Sequence, residues 1–115
     1  MDQQRKLIFF RTYFRDFADS LPKKVQENIN LVLFTISVAP RIPVKFLQHI
    51  TGTDGLYEIR VEFESNIYRI FCCFDRGNLV VLFNGFQKKS QKTPKSEIDK
   101  ALRIKEEYFR EKSKI

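Results

Sequence analysis

Three cations that are far apart in this sequence are expected to meet on one surface. Arg60 lies in residues 57–64, where apolar and polar residues alternate, and Arg69 lies in the mainly apolar run 67–74. Lys88 joins the third run, residues 79–86, if that strand continues. Alternation of this kind is typical of strands with one buried face, and neighbouring strands place alternate side chains on the same side. A cluster of cations can hold phosphates and stabilise the charge that develops when a phosphodiester is cleaved.

The same surface is expected to carry an amide and an aromatic ring. Asn84 and Phe86 occupy alternate positions of the third segment, on the side that the predicted register gives to Arg69. Rings beside cations suit single-stranded RNA, whose bases stack on aromatic side chains. Two structural explanations stay open. Glu62 opposite Arg69 would form an ordinary cross-strand ion pair, and the last helix would cover the apolar residues of this surface.

The charge balance favours a polyanionic partner. The 115 residues include 21 Lys and Arg against 14 Asp and Glu, which gives a net charge of +7. Nucleic acid is the first candidate partner and an acidic protein the second, although many basic domains are simply well charged. No Walker motif, dinucleotide fingerprint or nucleophile elbow occurs in the sequence, which argues against those enzyme classes.

Cysteine, histidine and hydropathy add few candidates. Cys72 and Cys73 are adjacent, so on a strand they point to opposite faces and cannot pair with each other. No metal-ligand spacing occurs, so neither a metal nor a cofactor is expected, and His49 is given a surface or structural role. No apolar run reaches the roughly 20 residues of a membrane span, and no signal peptide is recognisable. A cytoplasmic protein is therefore expected.

The remaining elements predict one α+β domain over residues 1–115. An N-terminal strand is expected over residues 6–12, and helices over 13–20 and 23–39, the second ending before Pro40. Strands over 57–64, 67–74 and 79–86 form an antiparallel meander. Residues 44–50 form a connector whose secondary structure the sequence leaves open. Thr93 as N-cap and Pro94 as first helical residue open a C-terminal helix. We expect all helices on one face of a small antiparallel sheet.

Two tight turns give a predicted register. Two-residue loops at Ser65-Asn66 and Arg76-Gly77 would place Arg69 between Glu62 and Asn84 on its neighbouring strands. The helix-bearing face would then hold Tyr57, Ile59, Val61, Phe63, Tyr68, Ile70, Cys72, Phe74, Leu79, Val81 and Phe83. The cations would lie on the face away from the helices.

The order of several short motifs resembles the HigB branch of the RelE/ParE-type toxins. The motifs are GLYEIR at residues 55–60, NIYRI at 66–70, LFNGFQKK at 82–89 and QKTP at 91–94, with Glu97-Ile98 and Ala101 in the last helix. The resemblance implies a RelE-like fold. It also implies metal-independent, ribosome-dependent cleavage of mRNA, in which a 2′-hydroxyl attacks the adjacent phosphate.

The resemblance also implies roles for individual residues. Arg69 matches a strand arginine that contacts the scissile phosphate, and Arg60 shares that charge. Lys88 or Lys89 stabilises the leaving oxygen, and Lys92 binds backbone phosphate. Glu58 stands where some relatives carry a lysine, and it either acts as a general base or pairs with a neighbour. No Tyr or His follows Lys92 where some relatives carry a catalytic one.

The sequence is compatible with three functions. The first is an mRNA endoribonuclease toxin that acts on the ribosome and is restrained by an antitoxin with a helix-turn-helix domain. The second is a ParE-like protein that poisons DNA gyrase, because a shared fold does not fix function. The third is a basic binding module without catalytic activity. The phosphate-binding cations favour the first.

Overall fold

The computed structural model describes residues 3–89 and 92–114, and it is a mixed α+β fold, as predicted. The chain forms β1 (Lys6–Phe9), α1 (Tyr13–Ala18), α2 (Lys23–Val38), a 3₁₀ turn (Val44–Phe46), β2 (Leu47–His49), β3 (Tyr57–Phe63), β4 (Asn66–Asp75), β5 (Leu79–Lys88) and α3 (Lys95–Lys112). In the part of the chain described, no helix combines the length and hydropathy that crossing a membrane requires.

Five strands form one sheet in the order β1-β5-β4-β3-β2. β1 runs parallel to β5, whereas the other neighbours are antiparallel. The predicted antiparallel meander is therefore confirmed, and β1, whose direction the sequence left open, joins it in parallel. β2 lies in the connector at residues 44–50, whose secondary structure the sequence left open. This short strand pairs with the beginning of β3.

Helices cover both faces of the sheet, which corrects the prediction that they share one face. α2 packs on a core that includes Ile59, Val61, Tyr68, Ile70, Cys72, Val80 and Leu82. α3 packs on a second core that includes Leu56, Phe71, Cys73, Val81, Phe83, Ala101 and Ile104. Cys72 and Cys73 therefore lie in different cores, as the strand alternation predicts, and both thiols are free.

The turn between β3 and β4 lies one residue earlier than predicted. Phe63 is opposite Asn66, so the two-residue loop is Glu64-Ser65, with left-handed φ values of 49° and 70°. This type of loop matches the twist of a hairpin. Because the loop lies one residue earlier, each side chain keeps its predicted face but has a different residue opposite it on the neighbouring strand. Arg60 is opposite Arg69 rather than Phe71.

The turn between β4 and β5 has three residues rather than two. Asp75 is opposite Leu79, so the loop is residues 76–78, and the extra residue exchanges the faces of the first half of β5. Leu79, Val81 and Phe83 thus pack on the α3 side, contrary to the prediction.

A β-bulge restores the predicted faces in the second half of β5. Cys72 is opposite Leu82 but Ile70 is opposite Gly85, so two residues stand across from Phe71 alone. Beyond the bulge, Phe86 is opposite Arg69 and Lys88 is opposite Ile67. Lys88 therefore shares the face of Arg69, as predicted.

Gly85, just after the bulge, lies directly beneath α1. A Cβ atom at this position would be 2.5 Å from Cδ2 and 2.7 Å from Cε2 of the Phe17 ring. These distances are well below van der Waals contact, so any larger side chain would force the ring or the strand to move. The absence of a side chain at Gly85 thus allows α1 to pack closely on β5.

Polar contacts hold both ends of α3 on the sheet. The helix begins at Lys95 with Pro94 as its N-cap, so the predictions of Thr93 as N-cap and Pro94 as first helical residue are each one residue too early. The Thr93 hydroxyl donates to Glu58 Oε2 at 2.9 Å. Near the other end, Asp75 accepts hydrogen bonds from Lys112 at 2.7 and 2.8 Å and from the Tyr108 hydroxyl at 2.7 Å. These donors hold the pKa of Asp75 below its ordinary value, and burial with the nearby carboxylate raises the pKa of Tyr108 to about 12.

Candidate functional site

α3 leaves part of its sheet face open, and a groove lies there beside the turn between β3 and β4. The groove has a volume of about 530 Å³ and is lined by Arg60, Ser65, Asn66, Ile67, Arg69, Lys88 and Lys89. We call it the cationic groove. The structure thus brings together four of the predicted site residues: Arg60, Arg69 and Lys88 from three strands, and Lys89 just after β5.

Arg69 is the most deeply buried cation of the groove. Its Nη1 atom lies 3.0 Å from Glu58 Oε1, and the two side chains are 7% and 9% exposed. Despite this short distance the ion pair is poorly aligned, and within the described residues neither Nε nor Nη1 of Arg69 has a hydrogen-bond partner. Burial lowers the pKa of Arg69 and the Arg60 charge lowers it further, whereas Glu58 acts in the opposite direction.

Arg60 stands directly across the ladder from Arg69. Like charges in this arrangement repel each other. Arg60 is 32% exposed and pairs with Glu62 at 3.0 Å on its own strand, so the predicted pair of Glu62 with Arg69 does not form. An anion bound between the two guanidinium groups would relieve their repulsion.

Lys88 lies beside this pair and is partly buried, whereas Lys89 is exposed. The pKa of Lys88 is lowered, first by burial and then by the positive charges of Arg69 and Arg60, while Glu58 opposes the shift. A lysine with a lowered pKa gives up its proton more readily than an ordinary lysine. Such a group at a phosphate site is suited to protonate a leaving oxygen.

Glu58 is buried, with 7% of its surface exposed. Its two carboxylate oxygens are held by Arg69 on one side and by the Thr93 hydroxyl on the other. The sequence left two roles open for Glu58, that of a general base and that of an ion-pair partner for a neighbouring residue. The geometry favours the ion-pair partner. Thr93, which the sequence offered only as a helix cap, joins this cluster because α3 begins next to β3.

The other predicted RNA-binding residues do not line the cationic groove. Phe86 stacks on Phe71, with ring centroids 5.6 Å apart, and packs on the core beneath α3. Asn84 is 2% exposed at the bulge, and within residues 3–89 and 92–114 its amide atoms have no hydrogen-bond partner. Lys92 is exposed beyond the end of β5, and Gln91 of the QKTP motif lies outside the described residues.

Sequence reasoning missed Ser65 and Asn66 as groove residues. The sequence assigned these two residues to the turn, which in the structure lies one residue earlier. Gly and Asn favour left-handed turn positions, and because Glu64-Ser65 contains neither, the sequence did not indicate a turn there. His49 is exposed, and its Nε2 lies 3.0 Å from the Thr53 carbonyl oxygen, which agrees with a structural role. Across residues 3–89 and 92–114, no three His, Cys, Asp or Glu side chains are arranged to hold a metal ion.

Comparison with known proteins identifies a family and a similar solved structure. The model of the family described as Phage derived protein Gp49-like (DUF891) matches residues 16–106. A chain in the crystal structure of the RelB-RelE antitoxin-toxin complex from Methanococcus jannaschii is similar in fold, with a TM-score of 0.54 and 18% identity. The similarity covers 76% of this chain and 99% of that chain. None of the curated proteins matches.

Proposed function

The chain belongs to the Phage derived protein Gp49-like family, and we propose that it is a toxin of a toxin–antitoxin pair that cleaves mRNA on the ribosome. The observation that carries the proposal is the opposition of Arg60 and Arg69 across one ladder, with Lys88 beside them. Glu62 and Glu58 each pair with one of the two arginines, so the charges of Lys88 and Lys89 give the groove a surplus of positive charge that a phosphodiester can neutralise. The fold likeness to a chain of an antitoxin-toxin complex supports the same assignment.

In the proposed reaction, the 2′-hydroxyl of the RNA attacks the adjacent phosphorus, and its proton passes to water. The bond from phosphorus to the 5′-oxygen breaks, which leaves a 2′,3′-cyclic phosphate and a free 5′-hydroxyl. Arg69 and Arg60 stabilise the additional negative charge on the phosphoryl oxygens. Lys88 donates a proton to the departing 5′-oxygen. Glu58 is a positioning residue that orients the Arg69 guanidinium.

Lys88→Arg is expected to lower kcat by about 10²-fold with little change in KM. The guanidinium keeps the positive charge that binds phosphate, but it cannot release a proton near neutral pH. The wild-type rate should fall as pH rises through the lowered pKa of Lys88, because the acid form is then lost. Single-turnover cleavage of ribosome-bound mRNA across a pH series checks both expectations. Lys89→Arg, at an exposed neighbour, is the matched control, and an equal loss in that variant would contradict the assignment to Lys88.

The function itself is tested by induction of the chain in bacteria and mapping of mRNA 5′ ends. New ends inside translated codons, absent when translation initiation is blocked, are the expected result. Growth arrest with intact mRNA would favour the ParE-like alternative, for which inhibition of purified DNA gyrase is the direct assay. Neither arrest nor cleavage would leave a basic binding module.

The proposal includes an antitoxin partner and a cytoplasmic location. The net charge of +7 suits an acidic partner segment, and a helix-turn-helix antitoxin remains the expected form. Ribosome-bound mRNA, the proposed substrate, is reached in the cytoplasm. Co-expression with the product of an adjacent reading frame should abolish the growth arrest.

A further inference from the structure

A second groove lies around the edge of the sheet from the cationic groove. β2 pairs with residues 57–59 of β3, so from Arg60 onward no described strand covers the outer edge of β3. There a pocket of about 300 Å³ opens between α2 and the 3₁₀ turn. We call it the side groove, and its lining includes Asn28, Leu31, Thr35, Lys45, Phe46 and Arg60.

Arg60 lines both grooves and therefore connects them. Its guanidinium pairs with Glu62, which also lines the side groove, so this carboxylate lies at the junction. A flexible strand of nucleic acid can bend around an open sheet edge, whereas a duplex cannot. The continuity thus favours a single strand whose backbone passes Arg60 on its way from one groove to the other.

The side groove carries the chemistry that holds an unpaired nucleotide. The ammonium of Lys45 lies 5.0 Å from the centroid of the Phe46 ring. Phe46 is half-buried because it packs against the core under α2, which fixes the ring, and Leu31 beside it is 64% exposed. Single-stranded nucleic acid is bound by such combinations of an aromatic platform and a neighbouring cation.

A hydrogen-bonding edge completes the side groove. The Asn28 amide nitrogen donates to the Glu62 carbonyl oxygen at 2.9 Å, which fixes the orientation of the amide. An amide also carries an acceptor oxygen, and the Thr35 hydroxyl provides a further polar group on the same wall. The mixture of polar and apolar groups suits a base, which has both a π-face and a polar edge.

We propose that the side groove binds one nucleotide of the RNA strand whose scissile phosphate lies in the cationic groove. The base stacks on Phe46 beside Leu31, in place of the Lys45 ammonium, which moves to a backbone phosphate. This inference rests on the proposed function, because it takes the cationic groove to be the RNA-cleaving site. It assigns a binding role to residues of α2 and the 3₁₀ turn that lie outside the cationic groove.

Binding of 2′-O-methyl RNA, which cannot be cleaved, tests the proposal in the intact chain. Fluorescence anisotropy at low salt compares an oligonucleotide long enough to span both grooves with one of three nucleotides. Phe46→Leu, which keeps an apolar side chain but removes the ring, should weaken binding of the long RNA about tenfold and leave the short RNA unchanged. Lys45→Ala should act in the same direction, with a lower salt dependence.

Two further variants separate the failure of the side groove from the failure of the function. Lys88→Ala should weaken binding of both RNAs, whereas Lys100→Ala, an exposed cation on α3, should change neither. If Lys88→Ala weakens both RNAs but Phe46→Leu weakens neither, the side-groove proposal is wrong, whereas the cationic groove remains an RNA site. If Lys88→Ala changes neither RNA, the cationic groove is not an RNA site and both proposals fail. Unchanged circular dichroism spectra verify that each variant is folded.

Discussion

Arg69→Ala is expected to abolish RNA cleavage and to destabilise the fold. The Glu58 carboxylate would remain buried without its positive partner, and loss of one member of a buried ion pair costs about 3–5 kcal/mol of the free energy of unfolding. Cleavage should fall by at least about 10²-fold, because a cation that stabilises charge in the transition state is lost. Urea denaturation gives the first quantity, and cleavage of ribosome-bound mRNA gives the second.

A double variant separates the two effects. In Glu58→Gln with Arg69→Gln, two neutral side chains replace the ion pair, and the Gln at position 58 can still accept the hydrogen bond from Thr93. We expect this variant to recover most of the stability but none of the activity. Cleavage at the wild-type rate by the folded double variant would show that Arg69 has a structural role and would remove it from the proposed mechanism.

Gly85→Ala is expected to lower the free energy of unfolding by about 3 kcal/mol, the upper part of the usual range for overpacking. The added methyl group would be 2.5 Å from Phe17 Cδ2, and the Arg69 carbonyl oxygen, at 3.0 Å, restricts movement of the strand. α1 must therefore shift, or the ring must leave its place in the core. Chemical denaturation of wild type and variant measures the loss.

A double-mutant cycle with Phe17→Ala identifies the origin of that loss. Phe17→Ala alone removes apolar contacts and also destabilises the chain. When both substitutions are combined, the methyl group at position 85 has room, so the total cost should be smaller than the sum of the single costs. Additive costs would mean that the conflict with the Phe17 ring is not the cause.

The alternation of apolar and polar residues predicted β3 well, because it reflects burial on one face of the sheet, and β4 and β5 were predicted as apolar runs between turn residues. The register between strands depends on loop geometry, and here the preference of Asn for left-handed turn positions was misleading. Ser65-Asn66 offers an Asn for a left-handed position, yet the chain turns at Glu64-Ser65. The bulge opposite Phe71 was also beyond the sequence pattern. It forms where β5 passes under α1 with Gly85 against Phe17, and this contact is distant in sequence.

The cations of the site could be predicted together because side chains alternate along each strand. Arg60, Arg69 and Lys88 share that face even though both turns were misplaced, since the bulge cancels the error of the second turn. The burial of Glu58 and the contact of Thr93 with it depend on where α3 lies. No local pattern records the packing of a helix on a sheet face. The same packing removes Phe86 from the surface on which alternation had placed it.

The adjacent thiols of β4 give the chain a built-in pair of chemical reporters. Cys72 and Cys73 are one residue apart, yet each is sealed beneath a different layer of helices. Burial raises the pKa of both, that of Cys73 to about 11, so neither thiol is a reactive thiolate in the closed fold. Alkylation of Cys73 therefore requires the α3 layer to open, and alkylation of Cys72 requires the α2 layer to open. The alkylation rates of Cys72 and Cys73 thus distinguish the opening of one helical layer, in which one thiol reacts first, from global unfolding, in which both react together.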